Sequence, residues 1–385
     1  MKQTLCILAA GAALLTGLTG CSADEELSNV AQSASNEIRF NVVTTNPQTK
    51  AVIIDGTDQL KSHNIEVFAF KGSDYYMGKP GGDNSWKDHG VELTYQNSAW
   101  TYTDQNATYY WPHQEALDFY AVSPSEMITT SSFTGATITP GQKQFYCAML
   151  DESQSGERNV DAMYATALNV TKDMTSNGSG TVSLHFKHAL SQVVFQARKK
   201  DVSQNIAIEV EGITLFNVRN SGTFTFPTAD QSNGTWSPID LYKTFYHLEL
   251  DSDSPITIQT GDVTTLLSHQ HPLLCIPQTL TPWSPSTTNC IQGEGNGETD
   301  SGHNCFLRIK CKIHDGDHYF VGSSTAYGYT YVPFEANWIE GYRYIYTLYF
   351  GAGYNKDGSE IDIVPITFTA EATDWVDAPN DITGF

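Results

Sequence analysis

Beyond its first twenty residues, the chain carries no apolar stripe at helical spacing for more than a turn or two. Short runs alternate polar and apolar residues instead, as in Glu37-Ile38-Arg39-Phe40-Asn41-Val42. A period of two belongs to a strand with one buried face. Similar runs fall at 65–70, 91–95, 99–102, 117–122 and 182–186. A second series covers 192–198, 206–210, 223–226, 245–250, 256–259, 305–312, 344–350 and 361–368. Turn chemistry such as Gly81-Gly82-Asp83-Asn84, Asn177-Gly178-Ser179-Gly180 and Asp357-Gly358 separates them. Many short strands with frequent turns predict an all-β protein of sandwiches, not a parallel α/β sheet. Aromatics at 12% and apolar residues at 40% supply the side-chain volume for real cores. A length of 385 residues fits two or three domains or one large β architecture. The best division lies near His188, giving β-sandwich domains at 37–187 and 188–385.

The first twenty residues stand apart. Lys2 precedes an apolar run over 5–18 that is too short to span a bilayer comfortably. It ends Leu18-Thr19-Gly20-Cys21, which resembles the lipobox of bacterial lipoproteins. The resemblance implies a signal peptide over 1–20, cleavage before Cys21, and acylation of that cysteine. Ser22-Ala23-Asp24-Glu25-Glu26 is similar to the acidic stretch that sends Bacteroidetes lipoproteins to the outer face of the outer membrane. Residues 21–36 are small and polar and read as a flexible tether.

Charge narrows the partners. With 43 Asp+Glu against 21 Lys+Arg, the net charge is −22, and no basic stripe for nucleic acid shows in the sequence. The same balance disfavours an electrostatic grip on anionic membranes. Besides Cys21, five cysteines follow: Cys147, Cys275, Cys290, Cys305 and Cys311. An odd number leaves at least one without a disulfide. Cys290 and Cys305 flank a Gly/Asn-rich loop that a disulfide would staple in an oxidising compartment. Cys305 and Cys311 share one face of a strand but lie too far apart to bond. There is no C-x-x-C, so no structural zinc site is expected.

Catalytic chemistry is hard to find. The sequence holds no G-x-S-x-G, H-E-x-x-H or Walker loop. The Gly-rich run 293–297 reads as a surface loop, and Asn355, Asp357 and Ser359 as a hairpin turn. His185 and His188, three apart on a strand, point opposite ways and make no metal pair. The expectation is a chain that is not an enzyme and needs no cofactor.

Several ordered pieces resemble the fimbrillin family of Bacteroidales, the subunits of their type V pili. These are the lipobox, residues 38–42 before Thr49-Lys50-Ala51, and Ile65-Glu66-Val67-Phe68-Ala69-Phe70. Tyr109-Tyr110-Trp111-Pro112, residues 117–121, and 182–186 with His188-Ala189-Leu190-Ser191-Gln192 continue the series. Residues 273–278, 338–346 and Thr373-Asp374-Trp375 complete it. The resemblance implies two tandem transthyretin-like β-sandwiches and a function in polymerisation, adhesion and biofilm formation. It also implies that a surface trypsin-like protease cuts behind the first strand, here between Lys50 and Ala51. The family more often shows Arg at that bond, so a Lys-accepting protease is required. The removable segment would be 37–50, with Ile38, Phe40 and Val42 as its buried core. The emptied groove would take a strand from the C-terminal region of another fimbrillin subunit. Here that region is 361–385, which Pro365 and Pro379 interrupt.

Two other readings fit the sequence. One is a surface lipoprotein that binds glycans through exposed aromatics such as Trp86, Trp100 and Trp236. The other is a non-polymerising anchor or tip fimbrillin.

Overall fold

The computed structural model describes residues 36–44, 57–80, 88–125, 136–139, 142–149, 159–199, 206–230, 232–238, 243–248, 250, 254–267, 272–285, 304–350 and 367–374. Among them strands dominate, and the one α-helix is a single turn, α1 (Thr57–Leu60). The first half runs through β1 (Arg39–Thr44), β2 (Ile65–Lys71), β3 (Asp74–Met77), β4 (Val91–Gln96), β5 (Ala99–Tyr102) and β6 (Leu117–Ser123). A short pair, β7 (Ala136–Thr139) and β8 (Gln142–Ala148), precedes β9 (Met163–Val170) and β10 (Thr181–His188).

Eight of these strands form one sheet in the order β3-β2-β4-β5-β1-β10-β9-β6. Because β2 also pairs with β6, the sheet curls into a closed ring, with β3 outside it. The two closing strands are buried on both faces. Ile65, Val67 and Ala69 of β2 and Leu117, Phe119 and Ala121 of β6 fill the ring. Phe68, Phe70, Tyr120 and Val122 point the other way into a second, larger core. That is why residues 65–70 read as a nearly unbroken apolar run.

The second half begins with β11 (Ser191–Lys199), β12 (Ile206–Arg219), β13 (Ser221–Thr225), β14 (Thr235–Pro238) and β15 (Lys243–His247). Short strands follow: β16 (Ile256–Thr257), β17 (Thr264–Leu267), β18 (Leu273–Cys275) and β19 (Thr279–Leu280). The last are β20 (Phe306–Asp315), β21 (His318–Val321), β22 (Gly328–Pro333), β23 (Ala336–Asn337), β24 (Tyr342–Phe350) and β25 (Thr367–Asp374). One sheet is β17-β11-β24-β25 with β18 also on β11. Another is β15-β12-β20-β21 with β16 on β12 and β22 on β20. Their apolar faces share the larger core, Phe195 and Tyr346 from one with Ile213, Leu307 and Ile309 from the other.

A third sheet, β14-β13-β8-β7, draws on both halves, since β8 pairs with β13 from Ser221↔Ala148 to Thr225↔Gln144. A division at 187/188 therefore crosses this sheet as well as the β10–β11 connection. Phe145 stacks on Phe224 at 4.7 Å, and Tyr120 meets Phe226 at 5.4 Å. The β10–β11 connection is gripped from three sides. Ala189 donates its N–H to Ala162 O (2.8 Å), Trp236 Nε1 donates to Ala189 O (2.6 Å), and Gly341 N donates to Leu190 O (2.8 Å). Beside it Glu340 is only 7% exposed, and its Oε1 accepts from Tyr164 OH at 2.6 Å and from Gly234 N at 3.1 Å.

Burial raises the Glu340 carboxyl from 4.5 to about 7, against the two hydrogen bonds and the Lys187 charge, which favour its ionised form. Glu66, buried beside the Gly90 N–H, is likewise raised to about 7 by burial, with Glu92 adding to it. The fold thus prefers both groups protonated. Their contribution is complete below pH 4.5 and is lost as pH rises through 7, on the order of 3 kcal/mol for each. The thermal midpoint should therefore fall between pH 5.5 and 8.5. Glu340→Gln should remove its share of that fall, leaving the part due to Glu66, as differential scanning calorimetry across this range would register. An unaltered pH slope in the variant would refute the assignment.

Candidate functional site: the seat of the first strand

The sequence places Ile38, Phe40 and Val42 on one side of an alternating strand, and their burial follows: 0%, 6% and 2% exposed, all inside the ring. Phe40 sets its edge against Tyr102 at 6.3 Å and Phe119 at 5.9 Å. Burying each of the three contributes about 1.5–3 kcal/mol, together roughly 5–9 kcal/mol. A whole domain is stable by only about 5–15 kcal/mol.

The two sides of the seat differ. β1 runs parallel to β10 from Arg39↔Thr181 to Thr44↔Phe186, a full ladder along the strand. On its other side it meets β5 at a single residue pair, Phe40↔Trp100. Tyr102 supplements that thin contact, donating its hydroxyl to Ile38 O at 2.7 Å. Burial first, and then the Glu37 charge, hold the phenol well above its ordinary range, so it keeps that proton.

A knot of hydrogen bonds fixes the strand's entry. Trp111 N donates to Asn36 O and Asn36 Nδ2 to Trp111 O, both at 2.7 Å. Ile38 N donates to Tyr109 O (2.8 Å), Arg39 N to Gly180 O (3.1 Å), and Trp111 Nε1 also to Gly180 O (3.0 Å). Gly180 has φ +79°, and a Cβ there would stand 2.7 Å from Glu37 O. Only glycine meets both conditions. At the exit, Thr44 N donates to Thr57 Oγ1 at 3.2 Å, so the chain leaves β1 and returns to α1 at the same point.

Lys50 and Ala51 lie between those two threonines, outside the described residues, as does Cys21. Tyr102, Trp111 and Gly180 are the seat residues that the sequence did not identify as such. Trp111 carried the one usable signal, in its Tyr-Trp-Pro setting, and it packs on Phe119 at 5.8 Å. Of the 361–385 region, 367–374 is described as β25, an edge strand paired with β24 from Tyr342↔Asp374 to Tyr349↔Thr367. Thr367, Thr369, Ala370, Glu371 and Ala372 are all exposed. Pro365 and Pro379 fall outside this ladder.

Two of the aromatics considered for sugar stacking are otherwise engaged. Trp100 is buried in the ring, and Trp236 packs between Phe145 (5.9 Å) and Phe224 (5.4 Å). Trp86 lies outside the described residues. Cys147, Cys275 and Cys311 are buried thiols, their acidity suppressed by burial. Cys305 is buried too, and Cys290 lies outside the described residues, as do 293–297, Asn355, Asp357 and Ser359. His188 turns to Asp161 at 3.1 Å while His185 is exposed on the opposite face of β10.

The sequence profile of a family described as fimbrillin-like matches residues 49–375. Among solved structures, a fimbrial protein from Bacteroides vulgatus is similar, with 16% identity, 88% of this chain and 99% of that one covered, and a TM-score of 0.57. A cell adhesion candidate from Bacteroides uniformis shows 12% identity over 89% of this chain and all of its own, with a TM-score of 0.43. The tip fimbrial protein Mfa3 from Porphyromonas gingivalis shows 12% identity over 88% of this chain and 100% of its own, with a TM-score of 0.37. No curated protein sequence matches the chain.

Gly180→Ala should cost at least about 3 kcal/mol, combining a left-handed backbone with the contact on Glu37. Gly72→Ala is the control. Its φ is +60° but nothing stands within 4 Å of the added carbon. It should lose only about 1–2 kcal/mol. Urea unfolding of both variants checks the difference, and equal losses would mean that the entry knot contributes nothing.

Proposed function

The chain belongs to the fimbrillin-like family, and we propose that it is a structural subunit of a cell-surface fimbrium that polymerises by exchanging β1 for a strand of another subunit. The family is one of fimbrial and cell adhesion proteins, structural rather than catalytic. In the proposed course the chain reaches the outer membrane through lipid on Cys21. A Lys-accepting, trypsin-like surface protease then cuts between Lys50 and Ala51. β1 leaves with the lipidated segment, and the processed chain begins at Ala51.

The observation that carries this reading is the position of β1. It closes a ring of strands and supplies three side chains to the core within, yet only the 45–56 segment ties it to the rest of the ring. After a cut it would be held by its ladder, by the hydrogen bonds at Asn36, Ile38 and Arg39, and by roughly 5–9 kcal/mol of burial. Its departure would bare the edges of β10 and β5 together with an apolar slot, and open edges favour strand addition. A donor needs alternating apolar residues and freedom to leave its own chain. β25 lies at a sheet edge, paired on one side only and with Thr367 and residues 369–372 exposed, which favours the second property. The family profile matches residues 49–375, a stretch that begins after β1 and beside the proposed cut. Adhesion and biofilm formation would then follow from the polymer.

Mass measurement of the N-terminus on intact cells should find the chain starting at Ala51, and Lys50→Gln should leave it lipidated and uncut. Processed chains should form multimers that resist detergent without covalent bonds, and an excess of a peptide spanning 36–45 should suppress them. A chain lacking 37–45 that folds as a stable monomer would sink strand exchange.

A further inference from the structure

β20 turns Leu307, Ile309, Cys311 and Ile313 inward, all buried, and Arg308, Lys310, Lys312 and His314 outward. Outward residues of a strand recur about every 6.6 Å, so the four basic side chains make a row about 20 Å long. The neighbouring strands give this row two different flanks. On one, Tyr329 stands across from Lys310 and Tyr319 across from His314, its ring stacked at 4.6 Å. Tyr327 lies 4.6 Å from Lys312 Nζ. On the other flank β12 places Thr214 beside Arg308, Gly212 beside Lys310 and Glu209 beside Lys312. Nothing stands within 4 Å of where a side chain on Gly212 would begin. The result is a row of basic side chains between tyrosines on one flank and Phe216, Thr214, Gly212 and Glu209 on the other, with Tyr327 reaching over Lys312 to donate its hydroxyl to Glu209 at 3.0 Å.

The cations are held in place. Lys310 pairs with Glu211 at 2.5 Å while 41% of its side chain stays exposed. Lys312 Nζ donates to Ser324 O at 3.2 Å, and the Arg308 guanidinium sits 5.0 Å from the Tyr329 ring. Tyr329 itself is 46% exposed, one of few large apolar side chains so open among the described residues. In a chain of net charge −22 with only 21 Lys and Arg, three of them fall on this one strand face, beside Glu209 and Glu211.

We propose that the β20–β22 face binds an acidic polysaccharide, a polymer of uronate or comparable acidic sugars. The row selects an extended, negatively charged chain. Tyrosine faces suit the C–H surfaces of sugar rings, and fixed cations lower the ordering cost of binding. Glu209 accepts from Tyr327 OH and Glu211 pairs with Lys310, their remaining lone pairs can take sugar hydroxyls, and two carboxylates beside the row disfavour the dense phosphate charge of nucleic acid. This surface extends the adhesive reading but involves no part of β1, so either proposal stands if the other fails.

Native affinity electrophoresis of the full chain tests it. Polygalacturonate in the gel should retard the protein, neutral dextran should not, and 0.5 M NaCl should weaken the effect, that being about three times shorter in screening range than low-salt buffer. Lys310→Gln with Lys312→Gln should weaken binding at least tenfold. Gly212→Glu, which adds a carboxylate in open space, should do the same with an unchanged thermal midpoint. Absence of retardation, equal retardation of the variants, or binding to oligodeoxythymidylate alone would each overturn the proposal.

Discussion

The first half of the molecule depends on a parallel pairing between residues about 140 positions apart in sequence, β1 with β10. That ladder holds Ile38, Phe40 and Val42 over the ring interior. Remove it and β10 loses its neighbour along its whole paired length, while β5 loses only one residue pair and the Tyr102 bond. The hydrogen bonding of β1 is thus concentrated on one side and its apolar contribution is spread across the ring. A replacement strand has to reproduce the β10 ladder and the alternation of three inward side chains, but little on the β5 side. A seat with one full ladder and a thin contact to β5 suits the proposed exchange better than one laddered along both edges.

Rigidity around the seat comes from sharing. β2 and β6 close the ring and also present Phe68, Phe70, Tyr120 and Val122 to the core that holds the second half. Losing β1 would therefore disturb strands that the larger core still holds in place. The small sheet of β7, β8, β13 and β14 adds to this, because β8 and β13 come from opposite halves of the chain. A body braced in this way keeps its larger core while the ring, short of three core side chains, stays marginal until another strand fills the slot.

Local patterning made the strands legible and left their partners obscure. Residues 37–42 alternate cleanly, and β1 is half-buried as that pattern demands. The strand starting at residue 206 is readable only to 210, whereas β12 runs to Arg219. A bulge between Val210 and Gly212 shifts its pairing, and another lies between Phe216 and Val218, where Asn217 has φ +64°. Each bulge resets the phase of the alternation, so the period of two vanishes from the sequence though the strand continues. The β1–β10 ladder, the ring closure and the bonds of Gly180 leave no local trace, because their partners are far away in sequence. Gln278 illustrates the same point. It acts as a piece of strand, donating Nε2 to Arg219 O at 2.8 Å and accepting from Arg219 N at 3.0 Å, and no neighbouring residue announces it. Tryptophans are ambiguous for a different reason. Trp100 and Trp236 satisfy burial or an indole hydrogen bond as readily as they would a sugar face, and only the fold decides between them.

Overall charge hides local charge in the same manner. A total of −22 argues against an anionic partner for the chain as a whole, yet alternation along β20 sorts every basic residue between 308 and 314 onto one face. At about 0.15 M salt, charges more than about 8 Å apart are largely screened from one another. A ligand on the β20–β22 face would therefore be governed by the row beneath it, with Glu209 and Glu211 beside it, more than by distant carboxylates. The total retains a say in approach. Long-range repulsion slows the encounter with any polyanion at low salt. Added salt should consequently speed the encounter while weakening the bound contacts.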